Sequence, residues 1–340
     1  MGTHQEKLMT IGFPTYNRKE IIRDRLTELY KNKDVFNFEI LVIDNASTDG
    51  TYDLLTSEFR FPNLTIMRNN ENIGLGRNML RLFNEVKTQW LAISSDEDLP
   101  LLDEHKRLLN EYYEKENCDL IIGSVLPPKG NPTGFLRNKV DRVATASDVH
   151  ETNYMSGLLY KVSELRESIQ LVNDSINTNN FVELYPHRAI ALHAFANNHC
   201  TSVSTPLSER KAQKESALEK VTVNELQKEN IAQKEVLKFS TLPERWEQWK
   251  SCLHFLMRVK ATSKSDLSKI NTLITYHCST LLSSIRTGVA AEDPRFAEAI
   301  NCSMFSEMAY FLQEHGKKTE QNYERPVAVL RQKARNSPDF

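Results

Sequence analysis

The sequence of 340 residues contains few cysteines, and their spacing gives no sign that they pair. The five cysteines are far apart along the chain, and none belongs to a Cys-x-x-Cys pair. This spacing argues against both a disulfide framework and a structural zinc site. No segment approaches the roughly 18 apolar residues of a membrane-spanning helix, and the first residues lack the apolar core of a signal peptide. We therefore expect a protein of the reducing cytoplasm.

The sequence also lacks an excess of either charge. It has 43 Lys and Arg residues against 45 Asp and Glu residues, which gives a formal net charge of -2. This balance argues against nucleic acid or an anionic membrane as a general partner. The length exceeds that of one usual domain, so we expect two domains or one domain with a large appendage. Any specificity must then come from a local site.

Short apolar runs alternate with helical patterns through the first hundred residues. Strands are predicted at 8–13, 38–43, 64–67 and 90–93, and helices at 19–30, 52–59 and 76–85. This alternation predicts a parallel, doubly wound α/β sheet. Further strands are predicted at 118–124 and 201–206. In such a sheet the carboxyl ends of the strands deliver their polar loops to one rim.

An acidic run, Asp96-Glu97-Asp98, directly follows the strand at 90–93, and Pro100 is expected to stop that strand. Carboxylates at this rim can hold a magnesium or manganese ion against an anionic substrate such as a diphosphate. A solvated acidic turn that caps the next helix explains the triplet equally well when it is considered alone.

Two other loops bring polar groups to the same rim. Asp44 can accept a hydrogen bond from a base N–H or a ribose hydroxyl, whereas Asn45, Ser47 and Asp49 are better explained as helix caps. The segment 72–78 reads Asn-Ile-Gly-Leu-Gly-Arg-Asn, which suits the binding of phosphate oxygens near a helix N-terminus. It is not a dinucleotide fingerprint, because the third glycine is missing and the preceding strand is the wrong one.

Four segments, taken together, resemble the family 2 glycosyltransferases of the GT-A fold. They are Pro-Thr-Tyr-Asn-Arg at 14–18, Ile-Asp-Asn-Ala-Ser-Thr-Asp-Gly-Thr at 43–51, Asn72-x-Gly74-x-x-Arg77-Asn78 and the acidic run at 96–98. Their order and spacing make the match specific. The resemblance implies a Rossmann-like, mostly parallel nucleotide-sugar domain. It also implies a nucleotide-sugar donor, most simply a UDP-sugar, a Mn²⁺ or Mg²⁺ ion, and inversion at the anomeric carbon.

The resemblance assigns the donor site to ten residues. Thr15, Tyr16 and Asp44 would surround the uracil, and Arg77 would lie near the nucleotide. The full set is Pro14, Thr15, Tyr16, Asn17, Arg18, Asp44, Asn72, Gly74, Arg77 and Asp96.

The metal ligand has two candidates, because the register of the family's Asp-x-Asp element is ambiguous in Ser94-Ser95-Asp96-Glu97-Asp98. Either Asp96 or Asp98 could bind the ion directly. We assign the metal to Asp98 and the ribose or a metal-bound water to Asp96, with Glu97 pointing away as alternation along an extended segment suggests. His187 is a further candidate ligand by analogy, although a single histidine within a helix is more often structural.

An inverting transfer needs a base that takes the proton of the acceptor hydroxyl. Glu183 lies where the family's catalytic acid commonly falls, and Asp174 is the alternative. A helix N-terminal acid explains Glu183 equally well. Ser156-Gly157 resembles the family's acceptor-side strand, where the small residues let backbone approach the sugar, and a bulge at Gly157 is compatible with the same sequence.

The composition changes after Pro206, so we predict a GT-A domain at 1–206 and a helical C-terminal domain at 207–340. Three stretches show a stripe of side chains at helical spacing. The stripe residues are Trp246, Trp249, Leu253, Leu256 and Met257 in the first, Ile270, Leu273, Ile274, His277, Leu281 and Ile285 in the second, and Phe296, Ile300, Met304, Met308, Phe311 and Leu312 in the third. Such a domain could contact the acceptor, form a homo-oligomer, or rest peripherally on the inner face of the cell membrane. A basic face for the last role would consist of Arg258, Lys260, Lys264 and Lys269.

From the resemblance we expect a metal-dependent, inverting hexosyl- or N-acetylhexosaminyltransferase. Its acceptor would be a glycan or lipid-linked glycan in the synthesis of a bacterial surface polysaccharide, such as lipopolysaccharide or capsule. An inactive glycosyltransferase-like scaffold is one alternative. A sugar nucleotidyltransferase is less favoured, because residues 14–18 are not a glycine-rich basic loop.

Overall fold

A computed structural model of the chain describes residues 8–112, 118–127, 137, 139–211, 242–262 and 267–284, with side chains omitted at 242–247 and 278–284. The chain divides into two compact units, Met1–Leu273 and Ile274–Phe340. Of the second unit, only residues 274–284 are described.

Nine strands form one mixed sheet within the described residues. Their bounds are β1 Met9–Thr15, β2 Glu39–Asp44, β3 Leu64–Arg68, β4 Trp90–Ile93, β5 Asp98–Pro100, β6 Leu120–Leu126, β7 Arg142–Val143, β8 Leu158–Lys161 and β9 Cys200–Arg210. The strand order is β3-β2-β1-β4-β8-β6-β9-β5, with β7 beside β9. The strands in the first four positions, β3, β2, β1 and β4, are parallel to one another, as predicted. Strand β8 runs antiparallel to both of its neighbours, β4 and β6.

The α-helices connect these strands. Their bounds are α1 Lys19–Leu29, α2 Thr51–Glu58, α3 Leu75–Glu85, α4 Leu102–Tyr112, α5 Ala146–His150, α6 Arg166–Ser175, α7 Asn180–Leu184, α8 Pro186–Asn197, α9 Leu242–Thr262 and α10 Leu267–Ser284. The buried α1 residues Ile22, Leu26 and Leu29 belong to one core cluster with Ile11 and Phe13 of β1. The predicted α/β class is thus confirmed.

Two prolines were expected to end a strand, and only Pro14 lies inside one. Pro14 pairs with Ile43 in the β1–β2 ladder, and β1 continues to Thr15. Its missing N–H costs no ladder bond, because pairing with β4 ends at Gly12. Pro100 is the last residue of β5, which pairs antiparallel with β9.

The carboxyl ends of the parallel strands meet at one rim. Thr15 is the register partner of Asp44, and Asp44 is the partner of Arg68. Two backbone bonds extend this alignment into the loops, from Asn45 N–H to the Thr15 carbonyl at 2.9 Å and from Asn69 N–H to the Asp44 carbonyl at 2.8 Å. The motif residues therefore converge because of strand register.

The C-terminal helices bury a face that was only partly predicted. In α9 the buried side chains are Cys252, Phe255, Leu256 and Val259, whereas the predicted stripe residues Trp249, Leu253 and Met257 are half-buried. In α10 the predicted stripe residues Ile270, Leu273, Ile274 and His277 are buried. The predicted stripe at 296–312 lies outside the described residues.

The proposed basic face is partly engaged within the fold. Arg258 donates to Ser175 Oγ at 2.9 Å, and the Lys269 ammonium lies 5.7 Å from the Phe195 ring centroid. Lys264 is not among the described residues. No described helix is long and apolar enough to span a bilayer. The domain boundary at residue 206 stays a prediction, although β9 continues past it to Arg210.

Candidate active site

A cleft of about 260 Å³ opens at the rim where the parallel strands end. Loops from β1, β2, β3 and β4 form one side, and Met155 and Leu184 approach from the other half of the fold. The lining residues are Pro14, Thr15, Tyr16, Arg18, Asn45, Asn72, Leu75, Gly76, Asn78, Ser95, Asp96, Met155 and Leu184.

Six of the ten predicted donor-site residues line this cleft, namely Pro14, Thr15, Tyr16, Arg18, Asn72 and Asp96. The other four, Asn17, Asp44, Gly74 and Arg77, are not among its lining residues. Asn17 joins two loops, because its N–H donates to Ser47 Oγ at 2.9 Å and its Oδ1 accepts from Thr48 N–H at 2.8 Å. Gly74 adopts φ 86°, a backbone conformation that glycine supplies without strain. The binding roles of all ten remain predictions.

Asp44 presents an unpaired oxygen at the end of β2. Its side chain is fully buried, and its Oδ2 accepts from Ser47 N–H at 3.1 Å and lies 3.4 Å from Arg68 Nε. Its Oδ1 has no hydrogen-bond partner among the described residues. Burial raises the pKa of Asp44. Since a buried acceptor without a partner is costly, this oxygen is suited to accept an N–H or O–H from a ligand.

Asp96 is the acid that faces the cleft. Its Oδ2 accepts from Thr15 Oγ1 at 2.9 Å, and its Oδ1 lies 3.7 Å from Arg18 Nη1. Burial raises the pKa of Asp96 to about 6, despite the opposing attraction of Arg18. Asp96 therefore places a carboxylate that is poorly solvated at the cleft wall.

Asp98 lies behind the cleft wall. Its carboxylate is fully buried and accepts from Tyr154 Oη at 2.7 and 2.6 Å and from Ser156 Oγ at 2.5 Å. Glu97 does not line the cleft and instead pairs with Arg18 and, at 3.7 Å, with Arg210 Nη2. The assignment of the metal to Asp98 stays a prediction, and the cleft lining favours Asp96 as the direct ligand.

The residues present fit a divalent ion that is shared with a substrate. No group of three or more His, Cys, Asp or Glu side chains in the described part of the chain is arranged to hold a metal. Mg²⁺, however, is commonly bound by one or two carboxylates together with substrate phosphates. The cleft-facing Asp96 meets that requirement when a diphosphate supplies the remaining oxygens.

His187, the third predicted metal ligand, lies in the protein interior and does not line the cleft. Its Nε2 is 3.1 Å from the Asn153 carbonyl oxygen, and burial lowers the pKa of His187 to about 4. The ring is therefore neutral at physiological pH. Its position gives the ligand role no support.

Glu183 forms an ion pair at the edge of the cleft. Its Oε1 accepts from Arg77 Nη2 at 3.2 Å, and Arg77 Nη1 donates to Asn177 Oδ1 at 2.5 Å. The next residue, Leu184, lines the cleft. The alternative base, Asp174, is exposed on α6, where it accepts from Gln170 at 2.8 Å.

A network of asparagine amides, which no sequence pattern indicated, holds the loop at residues 72–78. Asn45 Nδ2 donates to Asn72 Oδ1 at 2.7 Å, and Asn45 Oδ1 accepts from Asn69 Nδ2 at 2.7 Å. Asn69 also donates to Asn78 Oδ1 at 2.9 Å. The helix-cap prediction for Asn45 was wrong, because its side chain is used across strands rather than along the chain.

The other two cap predictions had different outcomes. Ser47 Oγ accepts from Asn17 N–H, so Ser47 joins two loops instead of capping α2. Asp49 does bind a helix start, since its Oδ1 accepts from Thr51 N–H at 3.0 Å and its Oδ2 accepts from Lys19 N–H at 3.1 Å. Asp49 thus serves the first residues of both α1 and α2.

Comparison with known proteins agrees with this architecture. The profile of glycosyl transferase family 2 matches residues 10–176. Abequosyltransferase RfbV of Salmonella typhimurium is 30% identical over 130 residues, which cover 34% of this chain and 38% of that protein. The solved structure of S. aureus TarS 1-349 in complex with UDP superposes with a TM-score of 0.61 and 14% identity, covering 96% of this chain and 87% of that one.

The likeness to TarS shows the fold alone, and it confirms the predicted GT-A architecture. The match to RfbV spans 38% of that protein's length, so it carries no conclusion about the activity of the whole protein. The profile match covers β1 to α6 and includes all four motifs that carried the resemblance. Through residues 10–176, this chain belongs to glycosyl transferase family 2.

Proposed function

We propose that this protein is a metal-dependent, inverting glycosyltransferase that transfers a sugar from a nucleotide-sugar, most simply a UDP-sugar, to a glycan or lipid-linked glycan. The observation that carries the proposal is the cleft-facing Asp96 at the rim where the strands end. Carboxyl ends of parallel strands are the usual ligand site of an open α/β sheet. Surface polysaccharide synthesis is the proposed context, and the relative RfbV, an abequosyltransferase, supports transfer of a sugar.

The nucleotide is proposed to bind on the β1–β2 side of the cleft. Thr15 and Tyr16 line this side, and the unpaired Asp44 oxygen lies at the end of the neighbouring strand. A pyrimidine base offers a ring N–H that could donate to that oxygen. The asparagine network would hold the opposite loop in place before the donor arrives, which lowers the entropy cost of binding.

The diphosphate is proposed to lie beside Asp96 and Arg18. Asp96 would hold a Mg²⁺ or Mn²⁺ ion, with Asp98 supporting it from behind the wall. Such an ion supplies positive charge that stabilises the leaving nucleoside diphosphate. Arg18, whose guanidinium already lies between Asp96 and Glu97, adds a second positive charge to the same region.

Glu183 is proposed as the base. It would accept the proton of the acceptor hydroxyl as that oxygen bonds to the anomeric carbon and the bond from this carbon to the diphosphate oxygen breaks. Its ion pair with Arg77 holds the carboxylate at the edge of the cleft.

The donor site can be tested by isothermal titration with UDP, GDP, CDP and dTDP, each with Mn²⁺ and with EDTA. We expect one nucleotide to bind with Mn²⁺ and to bind at least about tenfold more weakly in EDTA, because metal and diphosphate share the Asp96 site. If none of the four binds, the inactive-scaffold alternative is favoured instead.

Replacing Glu183 by glutamine is expected to leave donor binding unchanged and to slow transfer about 10²- to 10⁴-fold, the usual contribution of a general base. Glutamine retains the shape of the side chain but cannot accept the proton at neutral pH. Asp174→Asn is the matched control and should transfer at the wild-type rate. The reverse result, slow transfer by Asp174→Asn and normal transfer by Glu183→Gln, would identify Asp174 on α6 as the base.

A further inference from the structure

Arg137 is a buried cation whose side-chain hydrogen bonds to the described residues go to backbone carbonyl groups. Its side chain is 3% exposed, and it donates to the carbonyl oxygens of Gly123 at 2.7 Å, Tyr154 at 3.2 Å and Ser156. Burial lowers the pKa of Arg137 to about 10, so the guanidinium is still charged at neutral pH. Removing such a charge from water is expensive, and good hydrogen bonds must offset that cost.

Gly157 makes room for this guanidinium. It adopts φ 77°, and a Cβ atom there would lie 2.6 Å from Arg137 Nη2. The sequence had suggested that the Ser-Gly pair lets backbone approach the sugar. The structure places the buried Arg137 guanidinium in the space that a side chain at residue 157 would fill, and the approach of a sugar to this backbone stays a prediction.

The segment that Arg137 binds carries the hydroxyl groups that hold the acids. Tyr154 and Ser156 each donate a hydroxyl to Asp98. Ser156 Oγ also accepts from Ser95 N–H at 2.9 Å. Ser95 directly precedes Asp96, and both line the cleft. One continuous set of bonds thus leads from Arg137 to both acids.

We propose that Arg137 is a positioning residue for the acidic site, which fixes residues 154–156 so that their hydroxyls orient Asp98 and, through Ser95, Asp96. This inference rests on the proposed function, because it assigns Arg137 to the metal and diphosphate half of the donor site. Arg137 itself does not line the cleft. Partners of this kind typically change metal affinity or activity 10- to 100-fold when altered.

Lys139 provides a matched control. It is a second buried cation only two residues along the chain, with 4% exposure. Its Nζ lies 3.2 Å from Asp148 Oδ1 and 2.6 Å from Glu151 Oε2, so it supports α5 rather than residues 154–156. A general loss of stability in this region should therefore appear in variants of both residues, whereas an effect on the acids should appear only at Arg137.

The test compares wild type, Arg137→Lys and Lys139→Met in titrations with the nucleotide that wild type prefers, with Mn²⁺ and with EDTA. Lysine keeps the charge but loses the planar fork that reaches three carbonyl groups. We expect Arg137→Lys to lose about 10- to 100-fold in Mn²⁺-supported affinity and to match wild type in EDTA. Lys139→Met should lower the melting temperature and leave both affinities unchanged.

Two results would overturn the inference. Wild-type affinity with Mn²⁺ in Arg137→Lys would refute it, as would an equal loss with and without the metal, which indicates a merely structural role. If Arg137→Lys fails to fold, the double variant Tyr154→Phe, Ser156→Ala must show the same metal-specific loss, and normal affinity there refutes the inference. Absence of nucleotide binding by wild type would instead refute the proposed function and, with it, the inference.

Discussion

Replacing Asp96 by asparagine is expected to lower kcat/KM about 10²- to 10³-fold, because the proposed metal contribution to leaving-group stabilisation is worth several kcal/mol. Asp96 is the only carboxylate that lines the described cleft. Asparagine preserves its size and can still contact Thr15, so the fold should be retained. The measurement is the rate of sugar transfer as a function of Mn²⁺ concentration.

The same variant should be more resistant to unfolding at neutral pH. The pKa of Asp96 is raised to about 6 by burial. Between the unfolded pKa near 3.8 and this value the folded state binds more protons, so wild type loses stability as pH rises, by about 3 kcal/mol at most. Asparagine does not ionise and avoids that loss. Urea unfolding in EDTA should show a larger stability advantage at pH 7.5 than at pH 4.5, where wild type has lost only part of this stability.

Asp98→Asn is the informative comparison. In wild type the Asp98 carboxylate accepts hydrogen bonds from the hydroxyl groups of Tyr154 and Ser156. An amide at this position should therefore lower the free energy of unfolding by about 1–3 kcal/mol. If Asp98→Asn is stable and loses all response to Mn²⁺, while Asp96→Asn still responds, the direct metal ligand is Asp98, as the sequence alone suggested.

Replacing Gly76 by alanine is expected to destabilise the protein by about 3 kcal/mol and to abolish transfer. A Cβ atom at this position would lie 1.6 Å from the carbonyl oxygen of Glu183. Backbone cannot rotate away as a side chain can, so α3 and α7 would have to separate. Within an isolated helix the same change would be favourable by about 1 kcal/mol, so a loss of stability reports the contact between the helices.

The separation of α3 and α7 should also affect chemistry. Glu183 is paired with Arg77 of α3, and displacement of α7 would move the proposed base away from the cleft. Gly12→Ala is the control, since the nearest atoms to its added Cβ belong to the side chains of Leu82 and Leu91, which can adjust. Denaturant unfolding and transfer rates should show a larger loss for Gly76→Ala in both quantities. Equal losses in the two variants would contradict the proposed role of the α3–α7 contact.

The local sequence pattern was sufficient to predict the strands and helices of the parallel half of the fold. The strand Trp90–Ile93 has the predicted bounds, and Leu64–Arg68 and Leu75–Glu85 each differ from prediction by one residue. Such runs are fixed by the period of apolar residues and by the loops that bound them. The antiparallel strands β5 and β7 were missed, because two- and three-residue strands contain too few residues to show a period.

The sequence by itself determined the α/β class and the family, since both depend on the order of short motifs and on local periodicity. The tertiary structure alone decided that Asp96 faces the cleft while Asp98 is enclosed, and that Glu183 meets Arg77. These outcomes depend on contacts between residues far apart in sequence, such as Tyr154 with Asp98 and Gly76 with Glu183. Burial raises the pKa of both Asp96 and Asp98, and burial cannot be read from residue type or spacing.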